Sequence, residues 1–131
     1  MTAAPDPNVL LALGRLESGD NDTAFATFKV YAERGDLLAQ HTLAWCYEQG
    51  VGCIVDPALA LSWWKRAATR GFAESQCAVG HYYEHGKVVE QDLLAAASWY
   101  GLAADHHRDA SEGLERIRRR LSGEQRSAID A

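Results

Sequence analysis

Cysteine and histidine side chains recur at intervals of four residues between positions 77 and 85. The run Cys77-x-x-x-His81-x-x-x-His85 would place three side chains on one face of a helix. Thiolate and imidazole are ligands that zinc prefers, and a cysteine beside a histidine is also a pair used in nucleophilic catalysis. One hypothesis is therefore a small metal-dependent or Cys/His hydrolase that uses Cys77, His81 and His85.

The rest of the chain gives this chemistry little support. A closed zinc site usually takes four ligands, and the nearby candidates are limited to His41, Cys46 and carboxylates. No further residue is evident that would orient a catalytic pair, and no glycine-rich phosphate loop or nucleophile elbow is found. We therefore expect a protein that is not an enzyme, with no catalytic residue, no metal site and no cofactor.

Composition indicates a soluble, acidic, single-domain protein. The chain has 131 residues, 47% of them hydrophobic, and a formal net charge of -5, which argues against nucleic acid as the partner. No apolar run is long enough to span a bilayer, and the first residues do not resemble a secretory signal. The three cysteines are an odd number at irregular spacing, so we expect free thiols and a cytoplasmic location, with no membrane partner.

The positions that could do chemistry belong to a repeat of 36 residues. Glycine, aspartate, alanine and a large aromatic residue each recur in phase through three copies. These series are Gly14, Gly50 and Gly86; Asp20, Asp56 and Asp92; Ala24, Ala60 and Ala96; and Phe28, Trp64 and Tyr100. Such agreement over spaced positions predicts a repeat protein.

Each repeat is predicted to form two helices. Apolar residues at helical spacing predict helices over 37–48 and 57–70, and again over 73–84 and 93–105. Asp36, Asp56 and Asp92 are the expected N-caps. The first residues, Asn8 to Leu16, are interpreted as the second half of an incomplete opening pair. Because one pair cannot bury its apolar face alone, the units are expected to stack.

The predicted organisation is one domain over residues 1–131. It comprises a partial opening repeat over 8–34, complete repeats over 37–70 and 73–105, and a capping helix over 109–121. In the capping helix, Ala110, Leu114, Ile117 and Leu121 keep the repeat pattern only if one residue is deleted near His106 and His107. Residues 122–131 are read as a short helix or a frayed tail.

The spaced positions of the first complete repeat resemble the Sel1-like repeat, a relative of the tetratricopeptide repeat. The matching positions are Ala39-Gln40, Leu43-Ala44, Tyr47, Gly50, Gly52, Asp56, Ala60, Trp64, Ala67-Ala68 and Gly71. The second copy departs at Val88, which replaces Gly52, and at His107, which replaces Gly71. The resemblance covers about residues 8–121 and implies an all-α, right-handed α-solenoid of antiparallel helix pairs with about three repeats. It also implies an adaptor or scaffold that binds other proteins.

By analogy with tetratricopeptide stacks, the first helix of each pair should line a concave groove that captures a peptide or helix of a partner. The helix side left over from core packing would then carry the partner-binding residues. These are Leu38, His41, Trp45 and Glu48 in one repeat, Glu74, Cys77, His81 and Glu84 in the next, and Arg116 and Arg119 in the capping helix.

Trp45 carries most of this hypothesis, and two interpretations of it stay open. A large aromatic side chain flanked by His41, His81 and acids is typical of a binding hot spot with a polar rim. Alternatively, Trp45 packs against a neighbouring helix as part of the core. In the first case, the partner segment would have apolar anchors and some basic charge.

Overall fold

The computed structural model describes residues 3–130, which form eight α-helices and no strand. The helices are α1 (Pro7–Glu17), α2 (Asn21–Glu33), α3 (Leu37–Gln49), α4 (Pro57–Thr69), α5 (Ala73–His85), α6 (Leu93–Ala103), α7 (Arg108–Arg120) and α8 (Gly123–Asp130). The chain divides into two compact units, one ending at Arg70 and the other beginning at Gly71. The boundary therefore falls between the two complete repeats.

Aspartate side chains start the helices at the predicted positions. The Asp36 carboxylate accepts a hydrogen bond from the backbone N–H of Ala39 at 2.9 Å. Asp56 and Asp92 cap α4 and α6 in the same way, at 3.1 Å and 2.9 Å. Each cap satisfies a donor that the helix itself leaves without an acceptor. Local sequence chemistry thus fixes where these helices begin.

The first unit contains α1 to α4, with each helix packed on its neighbour in sequence. Helix α1 is the first helix of the opening pair, because a short connection leads from Ser18 to Asp20 and α2 then packs against it. The assignment of Asn8 to Leu16 as the second half of a pair was therefore wrong. The opening repeat has both of its helices.

Alanines and a large aromatic residue at the recurrent position lie in the core of each helix pair. In the first unit, Phe28 is 0% exposed and Trp64 is 4% exposed. Around them lie small buried residues, as predicted, which let the helices approach closely. The small residues of this unit are Ala12, Ala24, Ala32, Ala39, Ala44, Ala60, Ala67 and Ala68.

The second unit, α5 to α8, packs around Tyr100. Two glycines of neighbouring helices face its ring: a Cβ added at Gly80 would lie 2.8 Å from Tyr100 Cδ1, and one at Gly113 would lie 2.7 Å from Cε2. The ring therefore occupies space that any larger residue at these positions would fill. Ala110 and Ile117 of α7 are buried in the same core, which agrees with the register predicted from a one-residue deletion.

The connections inside the two complete repeats differ at one position. Gly50 and Gly86 end α3 and α5 with left-handed backbone, at φ +73° and +64°. Two residues later the backbone is left-handed again, at φ +71° for Gly52 and +67° for Val88. A β-branched residue rarely adopts this conformation, because its Cβ crowds the following carbonyl. Val88 is therefore a strained position, which the other complete repeat fills with Gly52.

Candidate partner-binding site

In the first unit, one side of α3 carries a row of side chains that the core does not use. Trp45 is 39% exposed, and Leu38, His41 and Glu48 are each half-buried. The opposite side of the helix is buried through Leu43 and its neighbours. Because residues three or four apart share a helix side, the fold brings these four residues into one line.

Trp45 is a surface residue of the first unit. Its exposure separates it from Trp63 and Trp64, which are 8% and 4% exposed. The His41 ring, one turn before Trp45 on α3, meets the Trp64 ring edge-on, with 5.0 Å between the centroids. This contact holds His41 of the row against α4. The interpretation of Trp45 as a buried core residue is not supported.

In the second unit, the predicted row on α5 divides between surface and core. Glu74 and His81 are exposed and Cys77 is half-buried. Glu84 is only 1% exposed, although it was predicted to face a partner. It is buried because α7 and α6 supply hydrogen-bond donors that turn its carboxylate inward. Glu84 is therefore a structural residue of this unit, which corrects its assignment to the partner-binding row.

Three donors surround the Glu84 carboxylate. Arg116 donates from Nε to Oε2 at 2.7 Å and from Nη2 to Oε1 at 2.7 Å. The Tyr100 hydroxyl donates to Oε1 at 2.7 Å. The Arg116 hydrogen bonds are the largest effect on the pKa of Glu84, and burial opposes them. The net result is a pKa lowered from 4.5 to about 2. The carboxylate therefore stays charged and anchors α7 to α5.

This network was not predicted from the sequence, although a signal for it exists. The recurrent aromatic position holds Phe28, Trp64 and Tyr100, so only the third copy carries a hydroxyl. A buried hydroxyl needs a hydrogen-bond acceptor, and the nearest repeat acid is Glu84. The burial of Tyr100 and its bond to Glu84 raise the pKa of the tyrosine, burial contributing most.

Arg116 and Arg119 lie on the exposed side of α7. They line a shallow surface depression together with Glu112 and Glu115. Arg116 is held in place by Glu84, with its own side chain 51% exposed. Its guanidinium thus has a fixed position and an accessible edge. A role for either arginine in partner binding stays a prediction.

Cys77 is poorly suited to act as a nucleophile. Burial raises the pKa of its thiol to about 11, the nearby Asp109 carboxylate raises it further, and Arg116 opposes the shift. A reactive cysteine has a lowered pKa and a partly exposed thiolate. The Cys77 thiol is therefore neutral, and it packs against the core of the second unit. This environment does not favour the hydrolase hypothesis.

The remaining cysteines lie in the first unit. The Cys53 thiol donates to the backbone carbonyl oxygen of Cys46 at 3.4 Å. Burial raises the pKa of Cys46 to about 12.

Among the residues that the structure describes, we find no helix whose length and hydropathy would suit a membrane span.

Successive helix pairs with a recurrent small-residue core and an unused helix side define a helical-repeat protein. The Sel1 repeat model matches residues 37–72 and 73–107. These matches cover more than half of the chain, and the protein therefore belongs to the Sel1 repeat family. The α-solenoid fold predicted from the resemblance is confirmed.

Two solved structures share this fold. A protective antigen of uropathogenic Escherichia coli with an SLR fold superposes with a TM-score of 0.84 over 94% of this chain, at 23% identity. A Sel1 repeat protein from Oxalobacter formigenes superposes with a TM-score of 0.77 over 86% of this chain, at 24% identity. The aligned parts are 27% and 45% of those two chains.

Curated relatives are larger proteins. Mouse protein sel-1 homolog 2 is 31% identical over 105 residues, which are 77% of this chain and 15% of the relative. The chitin synthase regulator SKT5 of Saccharomyces cerevisiae is 31% identical over 98 residues, or 70% of this chain and 13% of that protein. The chain thus spans only a small part of the length of these relatives.

Proposed function

We propose that this protein is a non-catalytic interaction module, an adaptor or scaffold that captures a peptide or helix of a partner protein. The observation that carries the proposal is the exposure of Trp45 in line with Leu38, His41 and Glu48 on α3. A half-exposed tryptophan with half-buried polar neighbours has the composition of an interface hot spot and its rim.

Rigidity of the row supports this function. α3 is fixed by its Asp36 cap, by Gly50 at its end and by the buried residues of its opposite side. A partner segment that docks on such a helix meets side chains whose positions are already set, which lowers the ordering cost of association. The kinship with a chitin synthase regulator is consistent with a regulatory or adaptor role.

The charge of the chain indicates the chemistry of the partner segment. Glu48 belongs to the row in the first unit, and Glu74 is exposed on α5 of the second unit. With a formal net charge of -5, the protein favours a segment with an apolar anchor for Trp45 and basic side chains beside it. We propose a protein as the partner, not nucleic acid or a membrane, and the cytoplasmic location stays a prediction.

The proposal is tested by selecting binders from a random peptide display library against the whole chain. We expect the selected peptides to share an apolar anchor and basic residues. Their affinity, measured by fluorescence anisotropy, should fall about thirtyfold or more in Trp45→Ala, as for other hot-spot residues. Circular dichroism should show an unchanged helix content for this variant, because the removed side chain is 39% exposed.

Ile54→Ala is the matched control. Ile54 is 90% exposed in the connection between α3 and α4, so it removes exposed apolar surface outside the row. Its affinity for the selected peptides should stay within about twofold of the wild type, as expected for an energetically neutral position. Peptides that bind Trp45→Ala as tightly as the wild type would contradict the proposed site.

A further inference from the structure

Three side chains at the end of α5 have the arrangement of a metal site. His81, Glu84 and His85 each offer one ligand atom, and these atoms lie within 4.8 Å of one another. The two imidazole rings lie 4.3 Å apart between centroids, inclined at 56°. We propose that His81 and His85 together bind a divalent transition-metal ion of the zinc class, with the Glu84 carboxylate beside them.

The helix supplies the geometry for two imidazole ligands. His81 and His85 are separated by four residues in α5 (Ala73–His85) and both are exposed, so their rings reach solvent on the same side. Zinc binds imidazole nitrogen at about 2.0–2.1 Å, which requires the two nitrogens to lie about 3.3 Å apart in a tetrahedral site. The ligand atoms lie within 4.8 Å of one another. Rotation of the exposed rings about their side-chain bonds can bring the two nitrogens to the shorter distance.

Glu84 lies beside the site and is not itself a ligand. Both of its oxygens accept hydrogen bonds from Arg116, so its lone pairs are largely committed. Oε1 nevertheless lies 3.6 Å from His85 Nε2. Oε1 also accepts from the Tyr100 hydroxyl, so the carboxylate borders the site and leaves coordination of the ion to the two imidazoles.

The identity of the ligands selects the class of ion. Neutral imidazole suits Zn²⁺, Ni²⁺ and Cu²⁺, whereas Mg²⁺ and Ca²⁺ prefer oxygen ligands. Cys77 is not included, because its half-buried thiol packs against the core of the second unit. Two protein ligands leave coordination positions for water. This inference does not depend on partner binding, so either proposal can fail without the other.

The test is a titration of the whole chain with ZnCl₂ and NiCl₂ at about pH 7.5, where ordinary imidazoles are neutral. Isothermal calorimetry should show one ion bound per chain. The melting temperature should rise with metal concentration, because the ion binds the native helix in preference to the unfolded chain. MgCl₂ should produce neither effect.

His81→Gln and His85→Gln should each lower the affinity for Zn²⁺ by about tenfold or more, since each removes one of two ligands. His106→Gln is the control. His106 is an exposed histidine outside α5, so this variant should bind Zn²⁺ as the wild type does. Equal affinity in all three variants, or no saturable Zn²⁺ binding below about 1 mM, would overturn the proposal.

Discussion

Arg116 binds the buried carboxylate of Glu84 through both of its oxygens, with each nitrogen-to-oxygen distance at 2.7 Å. The two residues lie on α7 and α5, 32 positions apart in the sequence. Two parallel charge-assisted bonds fix direction as well as distance. The pair therefore sets how α7 lies against α5 in the second unit.

We expect Arg116→Gln to destabilise the protein by about 1–3 kcal/mol. The substitution leaves Glu84 without charge compensation, a change that costs about 3–5 kcal/mol at a fully buried pair and less here, because Arg116 is 51% exposed. Urea denaturation measures the effect. Arg119→Gln, an exposed change on the same helix, should alter the free energy of unfolding by no more than about 0.5 kcal/mol. Equal losses in both variants would contradict the prediction.

The Glu84 carboxylate should make stability depend on pH in the acid range. Its pKa is lowered from 4.5 to about 2 in the folded chain, so the unfolded state binds a proton first. The contribution of this group is therefore complete above about pH 4.5 and is lost as the pH falls towards 2. Urea midpoints measured at several pH values should show the gap between wild type and Glu84→Gln narrowing on acidification. A gap independent of pH would contradict this cause.

Gly113→Ala should destabilise the protein, although alanine favours helices. The new Cβ would lie 2.7 Å from the Tyr100 ring, which is 2% exposed and faces Gly80 on another side. Overpacking of this kind costs about 1–3 kcal/mol. The expected result is a lower melting temperature, measured by circular dichroism.

Gly101→Ala in α6 provides the matched control. A Cβ at this position meets no atom within 4 Å, so only the helix preference changes. The substitution should stabilise the protein by about 0.5–1 kcal/mol. If Gly113→Ala also raised the melting temperature, the close approach of Gly113 to Tyr100 would not be present in solution.

Val88→Gly should stabilise the second unit. Val88 has a φ of +67°, and relief of this conformation gains about 1–2 kcal/mol. The greater freedom of glycine in the unfolded chain offsets about 0.5–1 kcal/mol of that gain. The free energy of unfolding should therefore rise slightly, as measured by urea denaturation.

The same substitution at Val55 separates the effect of backbone strain at Val88 from the other effects of replacing valine by glycine. Val55 and Val88 are both 53% exposed, and both lie in the connection inside a repeat. Val55 has no positive φ, so Val55→Gly should lower the free energy of unfolding. If the two substitutions had the same effect, strain at Val88 would not contribute to stability.

The positions of the helices could be predicted because their signals are local. Asp36, Asp56 and Asp92 each cap the helix that follows within three residues, so short sequence patterns determine where α3, α4 and α6 begin. The repeat series likewise identified three of the buried aromatic residues, Phe28, Trp64 and Tyr100. The opening pair was misassigned, because few of the recurrent positions fall in α1.

The candidate site was only partly predictable, because periodicity assigns a side of a helix and not its neighbours. Periodicity placed Trp45 on the same side of α3 as Leu38 and His41, but left open whether Trp45 is exposed or part of the core. It could not show that Glu84, at the position of Glu48 in the next copy, is buried. A carboxylate enters the core only where donors compensate its charge.

The sequence by itself determined the family, the repeat length and the ends of the helices, since each depends on residues close together in the chain. Tertiary structure decided which side chains of the row reach solvent. Trp45 stays on the surface of the first unit, whereas Glu84 is drawn inside by Arg116 and Tyr100. Those donors come from other helices, and their distance from Glu84 is set only when the helices pack.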